Sequence, residues 1–216
     1  MNPLERIQAA DRTLVRIVDQ AMAEAARRSG AWIACRVGCT ACCIGPFPIT
    51  QLDALRLRNG LVELRKADPE RARRVLERAR ASVSRLKPLF PGDPVTGVLF
   101  EDDQAQEEFF ERTEHEPCPA LDPTNGACDL YAARPLTCRT FGPAVHVAGE
   151  ALGHCELCYQ GAAPEQIAAC QLDFDPDGVE ALVLEELKAA TGLYGETLVA
   201  FALAAPAAET PAADAR

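Results

Sequence analysis

The residues with the most chemistry in this 216-residue chain are its ten cysteines. The first group reads Cys35-Arg-Val-Gly-Cys39-Thr-Ala-Cys42-Cys43, with Gly38 inside it and Gly45, Pro46 and Pro48 following. The second is spread over Cys118, Cys128, Cys138, Cys155 and Cys158. Thiolates are strong ligands for zinc and iron, and short spacings let one loop aim several of them at one centre. Glycine lets the backbone bend tightly enough to do so. Cysteines that merely pack should sit on periodic helix faces, yet these sit among Gly and Pro, which favours ligation. Neighbouring side chains diverge, so Cys42 and Cys43 either serve two centres, or one ligates while the other packs. A site made from the first loop alone is therefore not expected, and further ligands must come from the second group. Cys170 stands apart and reads as a buried thiol.

Composition narrows the context. Hydrophobic residues make up 48% and charged residues 25%, which is ordinary for a folded chain and excludes wholesale disorder. No apolar run is long enough to cross a membrane. Charges at Glu5, Arg6, Asp11, Arg12 and Arg16 break up the beginning of the chain, which does not read as an export signal. A cytoplasmic, reducing compartment is expected, where thiols stay free and ten of them argue for metal or redox chemistry. The net charge of −10 argues against non-specific binding to nucleic acid or to an anionic membrane. An unidentified redox or protein partner is the expected kind of partner.

Zinc and iron–sulfur centres both accept four thiolates. His115, His146 and His154 are the only histidines, and none forms an H-x-x-x-H pair, which disfavours a histidine-rich catalytic zinc site. With eight or nine candidate thiolates, an iron–sulfur cluster is the preferred cofactor, most simply [4Fe-4S], with one or two centres; zinc is the alternative. Cys35, Cys39 and Cys42 also share the C-x3-C-x2-C spacing of radical S-adenosylmethionine enzymes, but Ala41 stands where an aromatic is usual and repeated strand–helix units are missing. No G-x-G, Ser-His-Asp set or spaced carboxylate pair is present, so no catalytic residue is assigned.

The elements that must position these thiols read as helices. Leu4, Ile7, Leu14, Val18, Ala21, Met22 and Ala25 recur at helical spacing over 4–28, interrupted by Asp11. A second helix spans 50–66 with Thr50 as cap, and a third starts at Asp68-Pro69 and runs to about Lys87. The third is rich in arginine and reads as a solvated face. Residues 88–100 read as a loop. Residues 101–116 read as an acidic helix with one aromatic face, Phe109 and Phe110, and a second possibility is that it neutralises the arginine-rich helix. A last helix is expected near 178–204, weakened by Gly192 and Gly195, and the tail from Ala205 reads as disordered. The expected fold is mostly α, with helices packed around a loop-rich cysteine metal site and the helices at 4–28 and 178–204 flanking it. It forms one metal-binding domain over 1–204, with a helical insertion at about 50–100 and a tail at 205–216.

The spacing Cys35-x3-Cys39-x2-Cys42-Cys43, followed by Cys118-Pro-x-Leu…Gly126-x-Cys128-x-x-Tyr131-x-x-Arg134-Pro135-x-x-Cys138-Arg139-x-Phe141, resembles the YkgJ-type cysteine-cluster family. Its first gap is three residues, where many members have two. The resemblance implies chelation of zinc or iron, often as an iron–sulfur protein, with Cys35, Cys39, Cys42, Cys43, Cys118, Cys128, Cys138, Cys155 and Cys158 as ligands. Pro135 fixes the turn before Cys138. Arg134 and Arg139 either offset the negative charge of bound thiolates or pair with carboxylates. Tyr131 and Phe141 are expected to pack around the site. Three functions follow: a redox or electron-transfer protein, a structural zinc module for protein interaction, or a cluster-containing modifying enzyme distantly similar to lysine N-methylases.

Overall fold

The computed structural model describes residues 2–36, 38–147 and 150–205. Its first helix, α1 (Pro3–Ser29), starts at a capping box: the Asn2 side chain accepts the Leu4 N–H and the Glu5 side chain accepts the Asn2 N–H. Its buried stripe of Ile7, Leu14, Val18, Met22 and Ala25 is the one the sequence pattern predicts, and Gly30 at φ +52° ends it. Each such large apolar side chain contributes about 1.5–3 kcal/mol by leaving water. Strand β1 (Pro48–Thr50) runs into α2 (Gln51–Ala67), where the Thr50 hydroxyl accepts the Asp53 N–H. Asp68 caps α3 (Pro69–Leu86) in the same way through the Arg71 N–H.

The chain continues through the two-residue strands β2 (Gly92–Asp93) and β3 (Val98–Leu99), α4 (Asp103–Arg112) and the short α5 (Leu136–Thr140). Then come β4 (Val145–Val147), β5 (Glu150–Ala151), α6 (Pro164–Cys170), β6 (Leu172–Asp173), α7 (Val179–Thr191), β7 (Glu196–Leu198) and α8 (Val199–Ala204). The fold is mostly α, with eight α-helices and only short strands among the described residues. The expected loop at 88–100 contains the antiparallel β2–β3 hairpin. β4 pairs antiparallel with β5 and parallel with β6. No helix among the described residues is long and apolar enough to cross a membrane.

The last element differs from expectation. One helix over 178–204 is replaced by α7, β7 and α8. Gly192 and Gly195, at φ +73° and +75°, turn the chain out of the helix, and β7 pairs antiparallel with β1 through Ile49↔Thr197. α7 packs on α1, whereas α8 packs on α2 and α3. The expected disordered tail lies outside the described residues from 206 onward.

Three of the four apolar clusters among the described residues hold these pieces. The α1 stripe meets Leu52, Leu136, Val145, Phe174, Val183 and Leu187. Ile49, Leu57, Val75, Ala79, Val199 and Leu203 form a second cluster, with Cys118 and Cys128 at its edge. In the third, Phe90 stacks on Phe201 at 4.2 Å and meets Phe109 edge-on at 6.1 Å. Phe109 is thus the packed face of the acidic helix. Of the expected neutralisation, among the described residues only Arg85 with Glu116 joins α3 to that acidic stretch; the other α3 pairs go to Glu70, Glu77 and Asp129.

Candidate metal centre

The two cysteine-bearing segments meet through their backbones. After α1 a 3₁₀ turn (Gly30–Trp32) leads into an extended stretch carrying Cys35. Cys39 N–H bonds to Arg36 C=O at 2.9 Å, and a second 3₁₀ turn, Ala41–Cys43, presents Cys42 and Cys43. Cys118 N–H then bonds to Cys43 C=O at 2.8 Å, and Gly45 N–H to Glu116 C=O at 2.9 Å. Gly45 needs its φ of +87° to make this seam, and a side chain there would meet the Glu116-side backbone at Glu114 O, 3.2 Å away.

The loop beyond Cys118 is held from α3. Asp129 accepts from both Arg71 and Arg78, and Arg78 Nε also donates to Pro119 C=O at 2.8 Å. Two arginines of the helix read as a solvated face thus fasten the cysteine loop. Asp53 on α2 accepts the Leu136 N–H at 3.0 Å, fixing the start of α5 and with it Cys138. Asp53 and Asp11 share Arg56 at 2.5 Å each, a buried ion triad. Asp11, the residue that breaks the apolar stripe of α1, is therefore a buried partner and not a flaw in the pattern.

Gly142, Ala144 and the turn at 155–159 close on the end of α1. Cys155 N–H bonds to Gly142 C=O, Cys158 N–H to Cys155 C=O at 2.8 Å, and Tyr159 N–H to Trp32 C=O at 2.9 Å. The Tyr159 hydroxyl lies 2.6 Å from the Ser29 hydroxyl and accepts the Ala144 N–H. Tyr159, Cys155, Cys158 and Cys170 share one apolar cluster with Trp32, Ile33 and Ala34.

All ten cysteines are unbridged thiols. Nine of them, all but Cys170, fall into two neighbourhoods. Cys43 feels Cys42, Cys118 and Cys128, and Cys138 feels Cys118, Cys42 and Cys128. Cys35 feels Cys39, Cys42, Cys158 and Cys155, and Cys155 feels Cys158 and Cys39. Cys42 lies between the two. Cys42 and Cys43 thus turn toward the same neighbourhood: the Cys43 thiol donates to the Cys42 sulfur, which lowers the Cys42 pKa and raises that of Cys43. Burial raises the Cys118 thiol to about 11 and pushes Cys138, Cys128, Cys35 and Cys155 upward, with nearby thiols adding to the rise. Backbone N–H groups oppose it: those of Ala120 and Leu121 point at Cys118, that of Leu130 at Cys128, and that of Leu157 at Cys155.

A profile of the CxxCxxCC family, described as a "Putative zinc- or iron-chelating domain", matches residues 34–159. The chain belongs to that family, the YkgJ type. Neither the curated proteins nor the solved structures gave a match. The match begins just before Cys35 and ends just after Cys158, so both thiol neighbourhoods lie within it. The donor set fits the family's chemistry: unbridged thiols from both segments, N–H groups aimed at three sulfurs, and a nearby arginine. Among the described residues no three Cys, His, Asp or Glu side chains already form an ion-holding set. The thiols stand as neighbours, and an incoming metal must displace their protons to draw them in.

The flanking residues divide. Arg134 is close enough to lower the pKa of Cys42 and Cys128, stacks 4.0 Å over the Tyr131 ring, and keeps a buried Nε without a hydrogen-bond partner. Arg139 takes the other of the two expected roles: its guanidinium binds Asp19 at 2.7 Å and the carbonyls of Ala132 and Arg134, tying α5 to α1. Tyr131 and Phe141, expected to pack around the site, are 62% and 46% exposed. His115 lies exposed beside Glu114, His146 faces Asp173 at 3.5 Å, and His154 meets the Tyr159 ring edge-on. Cys170 is buried and donates toward Arg28 C=O at 3.6 Å. Asp53, Asp129 and Tyr159, which position the cysteine loops, carry no sequence signal beyond polar residues beside a motif.

Proposed function

We propose that this protein carries an iron–sulfur cluster, most simply [4Fe-4S], and works in one-electron transfer. The cluster would be held by four of the five thiols Cys42, Cys43, Cys118, Cys128 and Cys138. The supporting observation is the seam that brings Cys43 beside Cys118, with Cys128 and Cys138 in the same neighbourhood. A bound cluster supplies a reversible one-electron couple. The chain's own residues do the rest. The apolar cluster of α2, α3 and α8 shields Cys118 and Cys128 from water on one side. The N–H groups of Ala120, Leu121 and Leu130 stabilise thiolate charge. Arg134 adds a positive charge with an unused N–H, which favours the more negative, reduced state.

The test is anaerobic purification with iron, zinc and acid-labile sulfide measured per chain. A brown protein whose thiolate-to-iron absorption bleaches on reduction is expected. Cys118→Ser and Cys138→Ser should each remove it. A colourless protein holding only zinc would overturn the reading.

A further inference from the structure

We infer that the groove between α1 and α2 is a docking site for an extended acidic segment of a partner protein, in which two carboxylates flank an apolar side chain. Arg12 and Arg16 of α1 bind the carboxylates, and Val62 and Tyr131 on the other wall receive the apolar group. The inference goes beyond the electron-transfer reading and does not depend on which metal the thiols hold.

The two helices meet where Arg56 binds Asp11, and beside that contact lies a space of about 1090 Å³ bordered by the 3₁₀ turn Tyr131–Ala133. Pockets for small ligands hold roughly 300–1,000 Å³ and enclose most of the molecule. This space is larger, and exposed side chains line it from both helices, which suits a length of chain. Charge decides which chain. The carboxylates on its walls are already committed: Asp11 to Arg56, Asp129 to Arg71 and Arg78, and Glu63 to Lys66. Asp19, on the next turn of α1 beyond Arg16, is taken by Arg139. Among the described residues Arg12 and Arg16 therefore pair with no carboxylate, and Arg16 donates only to the Thr13 hydroxyl, at 3.1 Å. The groove thus presents two uncompensated positive charges in a chain of net charge −10. A short acidic segment meets only those two charges, whereas a long polyanion such as nucleic acid would be repelled by the rest of the molecule.

Spacing sets the pattern. Arg12 and Arg16 stand one helical turn apart on α1, about 6 Å along its axis. In an extended chain, residues i and i+2 share a face about 6.6 Å apart, and residue i+1 points the other way. Two acidic residues separated by one position therefore match the two guanidinium groups, whose N–H groups donate charge-assisted hydrogen bonds to the carboxylates. The residue between them turns toward the wall of α2 and the 3₁₀ turn, where Val62 and Tyr131 are exposed. The Tyr131 ring is already held by Arg134 at 4.0 Å, so it meets a partner as an ordered aromatic anchor. The seat also lies beside the thiols: the buried Arg56 donates to Arg134 C=O at 3.4 Å, and the 3₁₀ turn joins Cys128 to Arg134.

The experiment titrates the full-length protein, as purified, into fluorescein-labelled hexapeptides and reads anisotropy. One peptide alternates glutamate and leucine, a second groups the same residues into an acidic half and an apolar half, and a third alternates glutamine and leucine. The first should bind at least about tenfold more tightly than the other two, and its affinity should fall as salt is raised. Arg12→Glu and Arg16→Glu should each weaken it at least about tenfold, and Val62→Ser should weaken it by a smaller factor. Arg65→Glu, an exposed arginine of α2 outside the groove, should leave it unchanged. A readout on the unaltered protein accompanies the variants: arginines are modified with phenylglyoxal with and without the alternating acidic peptide and mapped by mass. The peptide should protect Arg12 and Arg16 and leave Arg65 reactive. No anisotropy change at millimolar peptide, equal binding of the glutamine peptide, or full affinity in both glutamate variants would each overturn the proposal. So would displacement of the peptide by inorganic phosphate, which would make the groove a small-anion site, or tighter binding of a single-stranded oligonucleotide that protects the same arginines.

Discussion

Gly60 lies in the middle of α2, and a methyl group on it would stand 2.3 Å from Ala133 Cβ. Carbon atoms in contact rest about 3.5–4.0 Å apart. The turn Tyr131–Ala133 would therefore have to retreat by more than about 1 Å. That turn links Cys128 to Arg134, so the displacement falls on the metal-facing side of the loop. Two effects compete. Alanine gains about 1 kcal/mol over glycine in a helix interior. Overpacking a filled contact costs about 1–3 kcal/mol. The clash outweighs propensity here because the obstructing atom is a Cβ, which moves only with its backbone. Gly60→Ala should destabilise the protein by up to about 2 kcal/mol, opposite in sign to the gain at an unobstructed helix site. Urea unfolding of wild type, Gly60→Ala, Ala133→Gly and the double variant gives the interaction directly. The double variant should recover most of the loss, with a coupling energy of about 1 kcal/mol or more. A Gly60→Ala protein more stable than wild type, or strict additivity with Ala133→Gly, would refute the argument.

Arg56→Ala leaves the buried carboxylates of Asp11 and Asp53 facing each other without a cation, and should cost about 3–5 kcal/mol in chemical denaturation; adding Asp11→Asn should return part of it. Glu180 is pushed up to about 7, first by burial and then by repulsion from Asp53, with Arg56 opposing. Its folded form therefore holds its proton more tightly than the unfolded chain does, and its contribution to stability is present at low pH and is lost as pH rises from about 4.5 to about 7. Glu180→Gln should match wild type near pH 5 and exceed it by about 1–3 kcal/mol at pH 8; equal stability at both pH values would dismiss the effect. Tyr159→Phe removes the hydroxyl that serves Ser29 and the Ala144 N–H, and thermal melts should show a loss of about 1–3 kcal/mol.

The first three helices were legible because each carries both a period and a stop: Asn2 with Glu5, Thr50, Asp68 with Pro69, and the apolar stripe of α1. The last is not legible because Leu198, Val199 and Phe201 suit a strand or a helix equally, and the choice is made by β1, some 150 residues away, once Gly192 and Gly195 have broken the helix. Local pattern carries no trace of such a partner. The same holds at the site. Cysteine spacing pointed to metal and to the need for distant ligands. Whether Arg139 would face a sulfur or a carboxylate depended on where Asp19 of α1 lands, and the sorting of the thiols depended on how the turn at 155–159 returns to Trp32. The buried Asp11 was visible as an anomaly in the stripe, but its reason, Arg56, lies 45 residues further along.

The seam between Gly45 and Glu116 has a wider meaning for how this chain tolerates change. The whole excursion through α2, α3 and α4 leaves and re-enters at adjacent hydrogen bonds, so its two ends touch. Lengthening such an excursion at an exposed turn, around Val95, adds little closure entropy, about 0.6 kcal/mol for each doubling of the loop. Foreign sequence grafted there should leave the sulfur-bearing turns in place. Removing the excursion is another matter, because Asp53, Arg71 and Arg78 reach back from it to hold those turns. It behaves less as an ornament than as a bracket: extensible at that turn, indispensable at the base.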